Sequence, residues 1–213
     1  MKFQLALDDI TMEEAVGLLE KLEGQVDIIE VGTPFMMVYG LEAVRTLKEM
    51  YPQCEVLCDA KIMDAGGYEA KLCFEAGADY VTVLGVTDIL TIKDCVKTAG
   101  EYKKKIVADM ICVDDFEKRI SEVEEAGADI IAVHTGVDQQ TAGRTPLDDL
   151  IEMRKYVKSC QIAVAGGIGS TTIEQYLPYK PDVVIAGGSV VKAENPSLEA
   201  RSIIEKMKGG NRK

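Results

Sequence analysis

The chain has 213 residues, 47% of them hydrophobic and 28% charged. That is enough for one large domain with its own core, and it is ordinary globular composition. Its formal net charge of −12 excludes general nucleic-acid affinity, which needs a cationic surface, and no apolar run approaches the roughly 20 residues of a membrane span.

The N-terminus, Met1-Lys2-Phe3-Gln4-Leu5, runs straight into a strand pattern without a signal-peptide core and cleavage site, so a cytoplasmic location is expected. Residues 3–8 read as a strand ending in Asp8. Thr11-Met12-Glu13-Glu14 has capping-box spacing, and Ala15, Leu18, Leu19 and Leu22 form the apolar face of the helix that follows. Residues 26–31 are the second strand, and Gly32-Thr33-Pro34 reads as a loop. Leu41, Val44 and Leu47 mark a helix that Tyr51-Pro52 ends. The third strand carries Val56-Leu57-Cys58-Asp59-Ala60-Lys61-Ile62, with Met63-Asp64 beyond it, and Ala65-Gly66-Gly67 breaks the pattern.

Residues 69–76 are helical and stop at Gly77. Residues 79–84 are strand four, 88–99 a helix, 105–110 strand five, 116–126 a helix stopping at Gly127, and 129–134 strand six. The pentapeptide Glu-Ala-Gly-Ala-Asp occurs at 75–79 and again at 125–129. Each copy is a helix end, a glycine and a strand start, a sign of repeated βα units. Residues 135–145 read as a polar loop or helix start, and a helix follows over 147–157. Residues 161–165 are strand seven, closed by Gly166-Gly167. Thr171-Thr172-Ile173-Glu174 reads as a second capping box before a short helix. Residues 182–186 are strand eight, closed by Gly187-Gly188-Ser189. Asn195-Pro196 caps the last helix with proline at its first position, and Gly209 to Lys213 read as a loose tail.

Eight near-continuous apolar strands, almost all followed by a helix, mean a parallel sheet covered on its outer face. Eight units suggest a closed (β/α)8 barrel spanning residues 1–213 as one domain. The alternative is an open doubly wound sheet, against which stands the lack of Gly-x-Gly-x-x-Gly after the first strand. The six cysteines, at 54, 58, 73, 95, 112 and 160, include no CxxC pair and read as buried thiols of a reducing compartment. One histidine excludes a multi-histidine metal site.

In a (β/α)8 barrel the active site lies at the C-terminal strand ends. Those ends carry Asp8, Glu30, Asp59 and Lys61, with Asp64 just beyond, and then His134. Strand alternation places Asp59 and Lys61 on one face. A lysine flanked by carboxylates stays protonated and can deliver a proton or hold a developing oxyanion; the alternative is a salt bridge that caps a strand. Glu30 and Asp59 could hold a hard cation such as Mg²⁺, or each could pair with Lys61. His134 is the candidate acid–base residue, or a strand-end hydrogen-bonding group. Gly166-Gly167 and Gly187-Gly188 suit a phosphate bound by backbone amides, or are tight turns. Asp8 is either a cap or a substrate contact. Arg144 reads as solvated surface within reach of a phosphate at most.

Asp59-x-Lys61-x-x-Asp64 resembles the signature of the orotidine 5′-monophosphate decarboxylase suprafamily. Leu5 to Asp8, Ile28 to Thr33 and Asp59 to Gly66 resemble two of its branches, 3-hexulose-6-phosphate synthase and 3-keto-L-gulonate-6-phosphate decarboxylase, along nearly the whole chain. The decarboxylase branch has His-Arg-Ser-Arg where this chain has His134-Thr135-Gly136-Val137, and arginine in place of Gly188; both departures favour the synthase branch. The resemblance implies Mg²⁺ on Glu30 and Asp59, and ribulose 5-phosphate held by the glycine loops. It implies proton abstraction next to the carbonyl, assigned here to His134, and addition of the enediolate to formaldehyde. It also implies a homodimer in which Asp64 enters the partner's site. A decarboxylase and a non-catalytic sugar-phosphate-binding protein are the competing readings. A Schiff-base role for Lys61 is disfavoured, because flanking carboxylates keep the amine charged.

Overall fold

Eight parallel strands hydrogen-bond in chain order and close, β8 onto β1, in a computed structural model that describes residues 1–209. The strands are β1 (Lys2–Leu7), β2 (Ile28–Val31), β3 (Glu55–Ile62), β4 (Tyr80–Leu84), β5 (Lys105–Asp109), β6 (Ile130–His134), β7 (Gln161–Ala165) and β8 (Val183–Ala186). Around them run α1 (Met12–Lys21), α2 (Thr33–Tyr39), α3 (Glu42–Met50), α4 (Gly66–Glu75), α5 (Ile89–Tyr102), α6 (Phe116–Ala126), α7 (Val137–Thr141), α8 (Pro146–Met153), α9 (Gly188–Val191) and α10 (Pro196–Gly209). The architecture is the expected (β/α)8 barrel. Residues 210–213, read from sequence as a loose tail, lie outside the described residues, and Gly209 ends α10.

The strands are apolar almost throughout because both faces are covered. Outward residues such as Leu5, Ile29, Cys58, Val81 and Ile131 pack under the helices. Inward residues Ile28, Leu57, Tyr80, Val107, Ile130, Ala163 and Val183 fill the lower barrel. The barrel is thus plugged from below and open only where the strands end in polar side chains.

A fourfold device ties the strands in pairs. Asp27, Asp79, Asp129 and Asp182 each stand just ahead of an even-numbered strand. Their carboxylates accept the backbone N–H of Phe3, Val56, Ile106 and Ile162 at 2.7, 2.9, 2.9 and 2.9 Å. Each also donates its own N–H to the carbonyl of that same residue and offers its carbonyl to the next odd strand. The repeated Glu-Ala-Gly-Ala-Asp is two of these four clasps. Each satisfies strand-start donors that no ladder partner reaches.

Several expectations need correction. Thr33-Pro34 begins α2 and is not loop, with proline in the first turn, where its missing N–H costs nothing. Gly66-Gly67 opens α4 and does not separate it from β3. Of the two readings of residues 135–145, polar loop or helix start, the second holds, because Val137–Thr141 form the short helix α7. Thr171–Glu174 makes no capping box; 3-10 turns at Ile173–Gln175 and Leu177–Tyr179 lie there, and Thr172 Oγ1 accepts from Gly169 N at 3.0 Å instead. Cys54, Cys58, Cys73 and Cys95 are buried, but Cys160 is half-buried and Cys112 exposed, because Cys112 stands in the β5–α6 loop at the barrel mouth. The capping box of α1 and the Asn195 cap of α10 are present as expected.

Candidate active site

The C-terminal strand ends open into a cavity of about 850 Å³. Asp8, Glu30, Asp59, Lys61, His134, Gly166, Gly167, Gly187 and Gly188 all line it. Asp64 does not. It is exposed beyond β3, and its Oδ1 accepts from Ala65 N at 2.7 Å. Arg144 also lies away from the cavity lining, 3.7 Å from Asp149.

Asp59 and Lys61 share the cavity, but not by simple alternation. Between Cys58 and Ile62 the register with β4 shifts: four residue steps of β3 lie against two of β4, from Val81 to Val83. Lys61 sits in this irregularity with φ of 48°, a conformation costly for a residue with a Cβ and typical of functional sites. Thr82 holds the bulge. Its Oγ1 accepts Lys61 N at 2.9 Å and donates to Asp59 Oδ1 at 2.8 Å. Thr33, from the first turn of α2, donates to Asp59 Oδ2 at 2.9 Å and lies 3.2 Å from Lys61 Nζ. Lys61 Nζ donates directly to Asp59 Oδ2.

Asp109, at the end of β5, completes the array, and sequence reasoning does not single it out among the strand ends. It is 3% exposed. Its Oδ2 accepts from His134 Nδ1 at 2.9 Å and lies 3.7 Å from Lys61 Nζ, and its Oδ1 accepts Ile111 N at 3.0 Å. The signal is present in the chain, since Asp109 closes an apolar strand as Asp8 nearly does. Gln4, on β1, is a second omission; its Nε2 donates to Glu30 Oε2 at 2.7 Å.

The charges are coupled. Burial works against the Lys61 ammonium, but Asp59 and Asp109 outweigh it and hold it above its ordinary value. Burial likewise opposes both Asp109 and His134. Their mutual contact wins, so the carboxyl is lowered and the imidazole raised. An ionised Asp109 accepts from Nδ1–H and leaves Nε2 as the free basic nitrogen. At Glu30 the balance goes the other way: burial first, then Asp59, outweigh the Gln4 hydrogen bond and the Lys61 charge and push it up to about 8. Desolvation and Asp59 also raise Asp8.

The opposite side of the mouth is backbone. Gly166 and Gly167 have φ of 119° and 64°, which side-chain-bearing residues rarely adopt. Ser189 Oγ donates to Ile168 O at 2.6 Å, so the loops after β7 and β8 form one unit. Gly32 serves closeness of approach: a Cβ there would fall 2.1 Å from Asp8 Oδ1.

The donor set fits a hard cation. Glu30 and Asp59 come from adjacent strands, and the rest of an octahedron can be water and substrate oxygen. Asp8 and Glu30 are both raised by burial and by Asp59, a repulsion among carboxylates that a divalent ion would relieve. Among the described residues no group of three or more His, Cys, Asp or Glu is arranged to hold a metal ion.

A closed barrel with a bulge-borne lysine, its carboxylates and a glycine-walled far side defines a class. Residues 1–203 match the Orotidine 5'-phosphate decarboxylase / HUMPS family, and the chain belongs to that family. It is an enzyme of the carbon–carbon lyase class. More particularly, it is 45% identical over 209 residues to 3-hexulose-6-phosphate synthase of Bacillus subtilis (strain 168), covering 96% of this chain and 100% of that one. The crystal structure of 3-hexulose-6-phosphate synthase from Salmonella typhimurium superposes with a TM-score of 0.96 at 55% identity, over 99% of this chain and 100% of the other. The crystal structure of 3-keto-L-gulonate-6-phosphate decarboxylase from Vibrio cholerae is more distant, with a TM-score of 0.86 and 28% identity over 98% of this chain and 97% of the other. No helix among the described residues is long and apolar enough to cross a membrane.

Proposed function

We propose that the enzyme catalyses a Mg²⁺-dependent aldol condensation of formaldehyde with D-ribulose 5-phosphate, giving D-arabino-hex-3-ulose 6-phosphate. The observation that carries the reading is the Lys61–Asp109–His134 array facing the stitched glycine loops across one cavity. Full-length relatives named 3-hexulose-6-phosphate synthase support it.

The phosphate rests on the amides of Gly166, Gly167, Gly187 and Gly188, which fixes the sugar with its carbonyl toward β2 and β3. Glu30 and Asp59 would hold Mg²⁺, which supplies Lewis-acid polarisation of the carbonyl when bound. His134 Nε2, oriented by Asp109, takes the proton from C1 beside the carbonyl. The Lys61 ammonium, which Asp59 and Asp109 hold in its charged form, stabilises the enediolate oxygen. C1 then bonds to the formaldehyde carbon, and the new alkoxide takes a proton back from His134. Asp8 contacts the substrate at the mouth.

The enzyme works as a homodimer in cytoplasm, with Asp64 contributed to the partner's cavity. Asp64 lies outside its own cavity, and Met37, Val38, Met63, Tyr68 and Leu90 are exposed on α2 and on the loops and helices that follow β3 and β4. Surface so apolar suits a subunit contact.

The test is purified protein with ribulose 5-phosphate and formaldehyde, with and without Mg²⁺, beside 3-keto-L-gulonate 6-phosphate. Formaldehyde-dependent loss of ribulose 5-phosphate that needs Mg²⁺ is expected. Release of CO₂ from the gulonate as the faster reaction would replace this reading with the decarboxylase.

A further inference from the structure

Binding a phosphate dianion in this cavity is a problem of charge. Asp8, Asp9, Glu30, Asp59, Asp109 and Asp138 line it, against two lysines, Lys61 and Lys192. Lys61 is committed to Asp59 and Asp109 on the β3 side. Lys192 is not. It directly follows α9, four residues after Gly188, and so stands on the glycine-loop side. Its Nζ lies 3.5 Å from Asp9 Oδ2, and the two side chains are 68% and 89% exposed. The contact arises because β8 pairs with β1, which sets the loop after α9 beside the Asp8-Asp9 turn.

We propose that Lys192 is a phosphate-binding residue that leaves Asp9 for the phosphate of the incoming sugar. This rests on the phosphate end assigned above and names the side chain that neutralises it. An exposed ion pair with no second hydrogen bond contributes little and exchanges at little cost. A dianionic phosphate makes a stronger, charge-assisted contact. The long, flexible lysine stem lets the ammonium travel between the two anions as a point charge. Asp9 is then a competitor for Lys192, and phosphate binding frees its carboxylate into solvent.

The experiment is calorimetric titration of inorganic phosphate, and separately of ribulose 5-phosphate without formaldehyde, into the full chain in Mg²⁺ buffer. Wild type is compared with Lys192→Met, Lys192→Arg and Asp9→Asn, with melting curves to confirm folding. Lys192→Met is expected to weaken both ligands about fivefold to tenfold at low ionic strength. The loss shrinks at about 0.5 M salt, where exposed charges are screened. Lys192→Arg keeps near wild-type affinity, and Asp9→Asn tightens both ligands. No measurable phosphate binding by wild type would overturn the inference. So would an unchanged affinity in Lys192→Met, a loss that Lys192→Arg does not restore, or weaker binding in Asp9→Asn. Because no turnover is needed, the two readings separate. Lys192-dependent binding without formaldehyde-dependent turnover sinks the reaction and keeps this site, and turnover without Lys192 dependence does the reverse.

Discussion

Asp109→Asn is the sharpest perturbation of the array. Asp109 is 3% exposed, accepts from His134 Nδ1 at 2.9 Å and lies 3.7 Å from Lys61 Nζ. An amide of the same size keeps the packing but removes the charge and lets the wrong imidazole tautomer form. Losing a charge-assisted buried hydrogen bond costs about 2 kcal/mol, or roughly 4–8 °C in Tm for a chain of this length. The sign of the pH dependence follows from the two shifts. Asp109 is lowered in the fold, so its contribution is present above the unfolded value and fades as pH falls through the folded one. His134 is raised, so its contribution is complete below its unfolded value and fades as pH rises through the folded one. The Tm gap between wild type and variant is therefore largest between about pH 4 and 6.5. It narrows at alkaline pH without closing, because Lys61 still faces Asp109 there. In catalysis, burial and the Lys61 charge then act on His134 against Asp59 alone and lower it, so the acid limb of kcat/KM moves to lower pH. The loss of an oriented base reduces kcat/KM by about a hundredfold or more. A variant whose rate stays within about threefold of wild type, with the same acid limb, would refute the role of Asp109 as the residue that positions His134.

Three further outcomes are expected. Mixing Lys61→Ala with Asp64→Ala subunits should restore about a quarter of wild-type activity, since one hybrid site in random dimers has both residues intact; no recovery would place Asp64 outside the partner's site. Because Glu30 is held up to about 8 without a cation, Mg²⁺ binding at pH 7 should release a proton. Calorimetry in buffers of different ionisation enthalpy reads this directly, and identical heats would refute Glu30 as a ligand. Asp79→Asn should cost about 2–3 kcal/mol in denaturant unfolding at pH 7, since its carboxylate takes Val56 N, Lys48 and Lys104 at 2.9, 2.7 and 2.6 Å. Burial opposes the Asp79 carboxylate, but Lys104 and Lys48 outweigh it and lower it. The deficit should therefore shrink as pH falls below about 4, and a deficit constant down to pH 2 would show that packing, not charge, is lost.

The residues that line the cavity are largely legible in the chain, for a local reason. In a parallel barrel every strand is apolar until it emerges, so the first polar residue after each run marks the mouth. Asp8, Glu30, Asp59, His134 and the two glycine pairs follow from that rule. Asp109 obeys it too, yet nothing beside it in sequence marks it as special; its importance lies in whom it meets across the barrel. Helix α2 is hidden because Gly-Thr-Pro reads equally as loop and as helix start.

Sequence alone determined the alternation of strand and helix, the closed barrel and the set of groups at its rim, because periodicity and strand ends depend on near neighbours. Only the tertiary structure decided who pairs with whom: Thr82 pinning the bulge that aims Lys61, Asp109 joining that lysine to His134, and Lys192 resting on Asp9. Those contacts join residues from 21 to more than 180 positions apart. Their existence depends on strand register and on the closure of β8 against β1, which no local pattern encodes.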